Sequence, residues 1–161
     1  MTPPATARRL KAAAALATAI AIPAEGLRQV AYYDPPGILT VCYGSTRDVQ
    51  AGKRYSLAEC RARLDSDMLE AVHAVETCVP GLPDPVLAAF GDAVYNLGPA
   101  VACDTHNSKA ARLLKSGDLA AACDQLPRWD KARIAGQAVA LPGLTRRRAA
   151  ERDLCLEGAH V

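Results

Sequence analysis

Apolar residues crowd the start of the chain, where Ala12 to Ala24 is uncharged and rich in alanine. The run predicts a helix over residues 12 to 30 that is loosened or ended at Gly26, just after Glu25. The pattern then shortens. Val30 to Tyr33 and Ile38 to Tyr43 are β-prone stretches on either side of the turn signal Asp34-Pro-Pro-Gly37. They read as a hairpin, with Asp34 in its loop and Thr40 on its second strand. Ser56 and Glu59 have capping-box spacing and open a helix with Cys60, Leu64, Met68 and Val72 along it. Prolines and glycines break the chain over residues 79–85, and helical spacing returns from Val86 to Leu97, stopping at Gly98 and Pro99. Shorter helices follow at Ser108–Lys115, which ends at Ser116-Gly117, at Asp118–Gln125 and at Thr145–Leu156. The fold class this predicts is α+β, mostly α: a small hairpin-containing N-terminal lobe and a helical C-terminal lobe joined by a helix.

Composition supports that reading. Half the residues are apolar but only 4% are aromatic, so the apolar content belongs in alanine-rich helices more than in strands. A length of 161 residues suits one domain or two lobes sharing a helix. A net charge of +2 gives no argument for nucleic acid as a partner. The segment Arg128 to Arg152 is locally basic, which fits either a surface turned toward an anionic polymer or an ordinary solvated helix face. His73, His106 and His160 fit no triad or ligand spacing and read as surface residues, and no metal site is expected. The six cysteines form no C-x-x-C pair, which favours disulfides in an oxidising compartment over zinc; buried free thiols are the alternative. Three lie before the proline-rich break and three after it, so full pairing requires at least one bridge across it. Cys103 with Cys123 is the local candidate.

Arg8, Arg9 and Lys11 ahead of the apolar run have the layout of an export signal whose N-terminus stays in the cytoplasm. The run is about a dozen residues, short of the roughly 20 that a stable span needs, so its hold on a bilayer should be weak. Cleavage after Ala24 would leave Glu25 at the new terminus, which favours retention of the segment. The expected organisation is an apolar export segment over residues 1–24 and a catalytic domain over 25–161. Deleting residues 1–24 is expected to leave a folded chain confined to the cytosol. The competing reading of the same run is an alanine-rich core helix of a cytosolic protein.

Glycoside hydrolysis uses one carboxylic acid to protonate the leaving oxygen and a second carboxylate on the other face of the sugar. Glu25, at a helix end beside apolar neighbours, and Asp34, in a solvated turn, are suited to the protonated and ionised roles. Two carboxylates nine positions apart are common by chance; the pattern around them is not. Glu25-Gly-Leu-Arg, Tyr33-Asp34, Gly37, Thr40 and Tyr43-Gly44 together resemble the catalytic segment of phage-type lysozymes, glycoside hydrolase family 24. The resemblance implies that Glu25 is the general acid, Asp34 the carboxylate that activates or holds water, and Thr40 a hydroxyl that fixes this water. It also implies a lysozyme-like fold and an inverting endolysin that hydrolyses the β-1,4 bond between N-acetylmuramic acid and N-acetylglucosamine in peptidoglycan, with no cofactor.

The likeness extends through Ala89 to Gly98, Arg128-Trp129 and Pro142 to Glu151. By family position Arg147 approaches Glu25, and Tyr95, Asn96 and Ser108 lie along the sugar groove. Two departures stand out: Ser45 occupies a position where many relatives carry histidine, and Asp34 is followed by two prolines, which stiffen its turn and remove two donors. The basic, alanine-rich start resembles the signal-arrest-release subset of the family. This implies export to the host periplasm with a transient tether to the inner membrane through residues 10–24, and a monomer. Two other functions remain open from sequence: a lytic transglycosylase on the same polymer, and a non-enzymatic wall-binding protein of this fold.

Overall fold

Leu10, Ala13, Ala14, Ala17 and Ala21 recur at helical spacing and are all buried. They form the inner face of α1 (Pro4–Ala24) in the computed structural model, which describes residues 4–160. Small side chains on that face let α1 pack against α2 (Leu57–Cys78), α3 (Asp84–Leu97) and α7 (Pro142–Ala159). Arg9 braces the first turns, with Nη1 2.9 Å from Glu76 and Nε 3.2 Å from Asp84. The described part of the segment that the sequence marks for export is therefore built into the core. No helix among the described residues is long and apolar enough to cross a membrane. The helix begins earlier than the apolar run suggested and ends at Ala24, so Glu25 is the first residue past it.

The chain then turns into an antiparallel hairpin, β1 (Arg28–Tyr33) and β2 (Leu39–Cys42), with Tyr32 opposite Thr40 and Tyr33 opposite Leu39. A small second core of Val41, Cys42, Tyr55 and Cys60 backs it. The predicted capping box is formed: the Glu59 amide donates to Ser56 Oγ at 3.0 Å, and the Ser56 amide to Glu59 at 3.4 Å. From this cap α2 runs 22 residues, about 33 Å at 1.5 Å per residue, and joins the lobes. Every residue of α3 from Val86 to Val94 is buried. Gly91 sets the approach of α2 and α3, since a Cβ there would fall 2.6 Å from Val72 Cγ2.

The C-terminal lobe continues through α4 (Ala100–Cys103), α5 (Lys109–Ser116), α6 (Leu119–Cys123), a 3-10 turn (Leu126–Trp129), and a second hairpin, β3 (Lys131–Ile134) with β4 (Gln137–Ala140). The sequence reading missed α4 and this hairpin. The β3–β4 turn is Ala135-Gly136, both at positive φ, and it lacks the Asn-Gly or Asp-Gly signature that would have marked it. Trp129 is half-buried against the core, as packing would have it, and the three histidines are exposed.

All six cysteines are paired: Cys42–Cys60, Cys78–Cys103 and Cys123–Cys155. Cys78–Cys103 crosses the proline-rich break, as parity required. The proposed Cys103–Cys123 pair is not formed. Contacts between α2 and α4 bring Cys103 to the end of α2, whereas α6 lies on α7 and hands Cys123 to Cys155.

Candidate active site

The end of α1, the β1–β2 hairpin, α2 and α3 enclose a cleft of about 410 Å³ lined by Glu25, Asp34, Thr40, Gly44, Tyr95 and Asn96, with Arg47, Asp67 and Glu70 along one side. Each position follows from local structure. Glu25 closes the last turn of α1, its amide donating to Ala21 at 2.8 Å, so its side chain leaves the helix end. Asp34 opens the hairpin turn: its amide donates to the Ile38 carbonyl at 2.9 Å, and its Oδ1 accepts from the Ile38 amide at 2.8 Å. Thr40 Oγ1 donates to the same Ile38 carbonyl at 3.0 Å. One residue, Ile38, thus ties Asp34 to Thr40 through its amide and its carbonyl, leaving Asp34 Oδ2 and the lone pairs of the threonine hydroxyl for a ligand or water.

Glu25 is held from the other lobe. Arg147 Nη1 lies 2.6 Å from Glu25 Oε1, and the remaining face of that guanidinium is taken by Asp92, Nε to Oδ2 at 2.9 Å and Nη2 to Oδ1 at 2.8 Å. Arg147 and Asp92 are both buried. Burial opposes the Arg147 charge, but its bonds to Asp92 and Glu25 outweigh this and raise its pKa. The apolar surroundings expected for Glu25 are therefore not what it has: its partner is a cation whose own charge is shared with Asp92. Gly44, at φ +88°, lets the backbone after β2 pass beside the carboxylate, and a Cβ there would lie 3.6 Å from Glu25 Oε2. Tyr95 donates its hydroxyl to the Tyr43 carbonyl, joining α3 to that same turn. Its phenol pKa is raised by burial and then by the Glu25 charge, so it serves only as a neutral donor.

The sequence-derived substrate residues divide. Tyr95 and Asn96 line the cleft, and Asn96 Oδ1 accepts from Arg148 at 2.9 Å. Ser108 is a correction, because it is buried as the N-cap of α5, its Oγ donating to Val101 at 2.7 Å and accepting from Ala111 at 3.2 Å. Its proton is spent inside the protein, and it is not among the residues lining the cleft. The basic C-terminal segment divides as well: Arg147 and Arg148 are interior, whereas Arg128, Lys131, Arg133 and Arg146 are exposed. Ser45 has not inherited a role at the Glu25–Arg147 pair; it accepts from Arg63 at 3.1 Å.

Asp92 escaped the sequence reading. Its signal was a lone acid amid the apolar stretch from Val86 to Val94, a place where a charge survives only with a partner. Arg47 and Glu70, 3.0 Å apart across the cleft margin, left no comparable trace because surface ion pairs have no pattern of their own.

The phage lysozyme family model matches residues 23–151. A SAR-endolysin of Bacteriophage PS119 is 39% identical over 136 residues, covering 83% of this chain and 77% of the relative. Among solved structures, the muramidase domain of SpmX from Asticaccaulis excentricus aligns with TM-score 0.77 at 30% identity, over 90% of this chain and 95% of that one. The active form of the P1 phage endolysin Lyz aligns with TM-score 0.74 at 27% identity, over 89% and 84%. A family match over residues 23–151, which takes in the cleft and both lobes, on a shared fold, makes this chain a member of the phage lysozyme family.

Proposed function

We propose that Glu25 is the general acid, Asp34 the carboxylate that activates water, and Thr40 the hydroxyl that orients it, in an inverting cleavage of the muramic acid to glucosamine bond. As a phage lysozyme the chain is a glycoside hydrolase, an endolysin that acts on peptidoglycan in phage lysis. The observation that supports the assignment is that Glu25, Asp34 and Thr40, from a helix end, a turn and a strand, line one cleft. In the proposed reaction Glu25 gives its proton to the leaving glycosidic oxygen. Water held between Asp34 Oδ2 and Thr40 Oγ1 loses a proton to Asp34 as it attacks the anomeric carbon from the opposite face. Arg147 fixes the Glu25 carboxyl, and Tyr95 and Asn96 form part of the floor on which the sugars lie.

Export rests on the same helix. Arg8, Arg9 and Lys11 followed by the alanine-rich run direct the chain to the periplasm, where the segment leaves the inner membrane, is kept, and packs as α1 in a monomer. The disulfides close there.

Turbidity of outer-membrane-permeabilised cells tests the chemistry. Wild type clears them, Glu25→Gln does not, and Glu59→Gln at the cap of α2 clears like wild type; clearing by the Glu25 variant would reject the assignment. Reducing sugar ends in the product are expected, and anhydro ends would mark a transglycosylase instead. Mass spectrometry of periplasmic protein tests retention, and a mature N-terminus at or beyond Ile22 would reject it.

A further inference from the structure

Asn96 stands in the last turn of α3, and its side chain is not spent on ending that helix, which stops at Gly98 with the Gly98 amide donating to Val94 at 2.8 Å. It lines the cleft and also reaches the interior, where it meets Arg148. Arg148 and Glu151 are fully buried, and one nitrogen of the guanidinium serves two neighbours: Nη2 donates to Glu151 Oε1 at 2.7 Å and to Asn96 Oδ1 at 2.9 Å. That nitrogen carries two hydrogens, so both bonds form at once. A guanidinium has no acceptor, so the atom of Asn96 that meets it has to be the carbonyl oxygen. The amide is thereby locked one way round, with Oδ1 toward the interior and Nδ2 turned from it, and among the described residues no acceptor meets Nδ2.

We propose that Arg148, anchored by Glu151, is a positioning residue that locks Asn96 as a hydrogen-bond donor in the cleft floor, where Nδ2 recognises the carbonyl oxygen of an acetamido group on the glycan. This inference rests on the reading of the cleft as the place where the sugars lie. The chemistry of the two partners matches. Both sugars of the polymer carry an acetamido group, whose carbonyl offers lone pairs and no proton, and Asn96 turned this way offers protons and no lone pair. Its surroundings leave that task to it. Asp34, Asp67 and Glu70 bring carboxylates to the cleft, and the Tyr95 hydroxyl already gives its proton to the Tyr43 carbonyl. Removing the acetyl group leaves an ammonium, a donor only, which would set donor against donor at Asn96. Reversing the amide carries the same penalty on the other side, since it would turn Nδ2 against the N–H groups of a buried guanidinium.

The test uses the full-length, oxidised protein on solubilised glycan strands of peptidoglycan, native and chemically de-N-acetylated. Asn96→Leu removes the donor without adding charge, and Asn96→Asp keeps the acceptor for Arg148 but offers no donor. Arg148→Met combined with Glu151→Leu releases Asn96 while exchanging the ion pair for apolar side chains, so that no lone charge is left buried. The quantity read is the preference, kcat/KM on native strands over kcat/KM on de-N-acetylated ones, taken within each protein so that a smaller folded fraction cancels. Loss of one hydrogen bond should cut the wild-type preference by about three- to tenfold in all three proteins, chiefly through KM on native strands. A preference retained in Asn96→Leu overturns the proposal even where Asn96→Asp loses it, because the added carboxylate by itself attracts an ammonium. A preference retained in the double variant overturns the part given to Arg148. Failure of the Glu25 assignment would show separately, as an active Glu25→Gln enzyme, since the preference does not depend on which carboxyl is the acid.

Discussion

Asp92 grips Arg147 with both carboxylate oxygens, at 2.8 and 2.9 Å, and so determines which guanidinium N–H remains for Glu25. The link spans the two lobes, because Arg147 belongs to α7 while Glu25 directly follows α1. It predicts that Asp92→Asn, which keeps the shape but removes the charge and one acceptor, lowers kcat by about tenfold or more while leaving KM nearly unchanged. Steady-state kinetics on solubilised glycan decides this. An unchanged kcat would mean that Glu25 is positioned without the arginine.

Because Ala17 is fully buried where α1 meets the core, Ala17→Leu should destabilise the protein by about 1–3 kcal/mol through overpacking. Thermal unfolding of the oxidised protein measures it. The same packing revises an expectation drawn from sequence. Deleting residues 1–24 removes the buried face of Leu10, Ala13, Ala14, Ala17 and Ala21, so the remainder should lose cooperative unfolding and not persist as a folded cytosolic domain.

Each disulfide closes a loop of 18 to 32 residues and should contribute about 3–4 kcal/mol by restricting the unfolded chain. Replacing Cys123 and Cys155 together by serine should therefore lower stability by about that amount while changing kcat little, since neither cysteine lines the cleft. Cys42 and Cys60 should behave differently. Their bridge anchors the strand that carries Thr40 to α2, so its loss should reduce activity as well as stability. Denaturant titration and cell-clearing rates on the same samples separate the two effects.

Asp67 is half-buried beside the cleft, and burial raises its pKa against the opposing influence of Ser45, Arg47 and Arg63. A carboxyl with a raised folded pKa binds more protons folded than unfolded, so stability falls as pH rises. The full contribution is present below the unfolded value of about 3.9 and is lost as pH climbs through the higher folded value. Asp67→Asn should flatten the stability profile over this window. Thermal melts across the window would contradict the reading if wild type and variant ran parallel.

Much of this protein was legible before folding, because the signals were local. The capping box at Ser56 and Glu59, the turn at Asp34-Pro-Pro-Gly37 and the stop at Gly98 each satisfy or interrupt hydrogen bonds within a few residues, and all three formed as read. Glu25, Asp34 and Thr40 were legible for the same reason: they lie within 16 consecutive residues, and a helix end followed by a hairpin suffices to gather them. Long-range pairing was not local and was not legible. The partner of Cys103 depended on α4 reaching the end of α2, and the environment of Glu25 on Arg147, 122 positions away. The alanine run could be written down from the sequence as a weak apolar segment, but its role as α1 depended on α2, α3 and α7 offering surfaces close enough for methyl groups to fill. Charge followed the same rule. Composition counts Asp92, Arg147, Arg148 and Glu151 as ordinary ions, and only burial, which makes an unmatched charge costly, turns them into two interior pairs behind the site, Arg147 with Asp92 and Arg148 with Glu151.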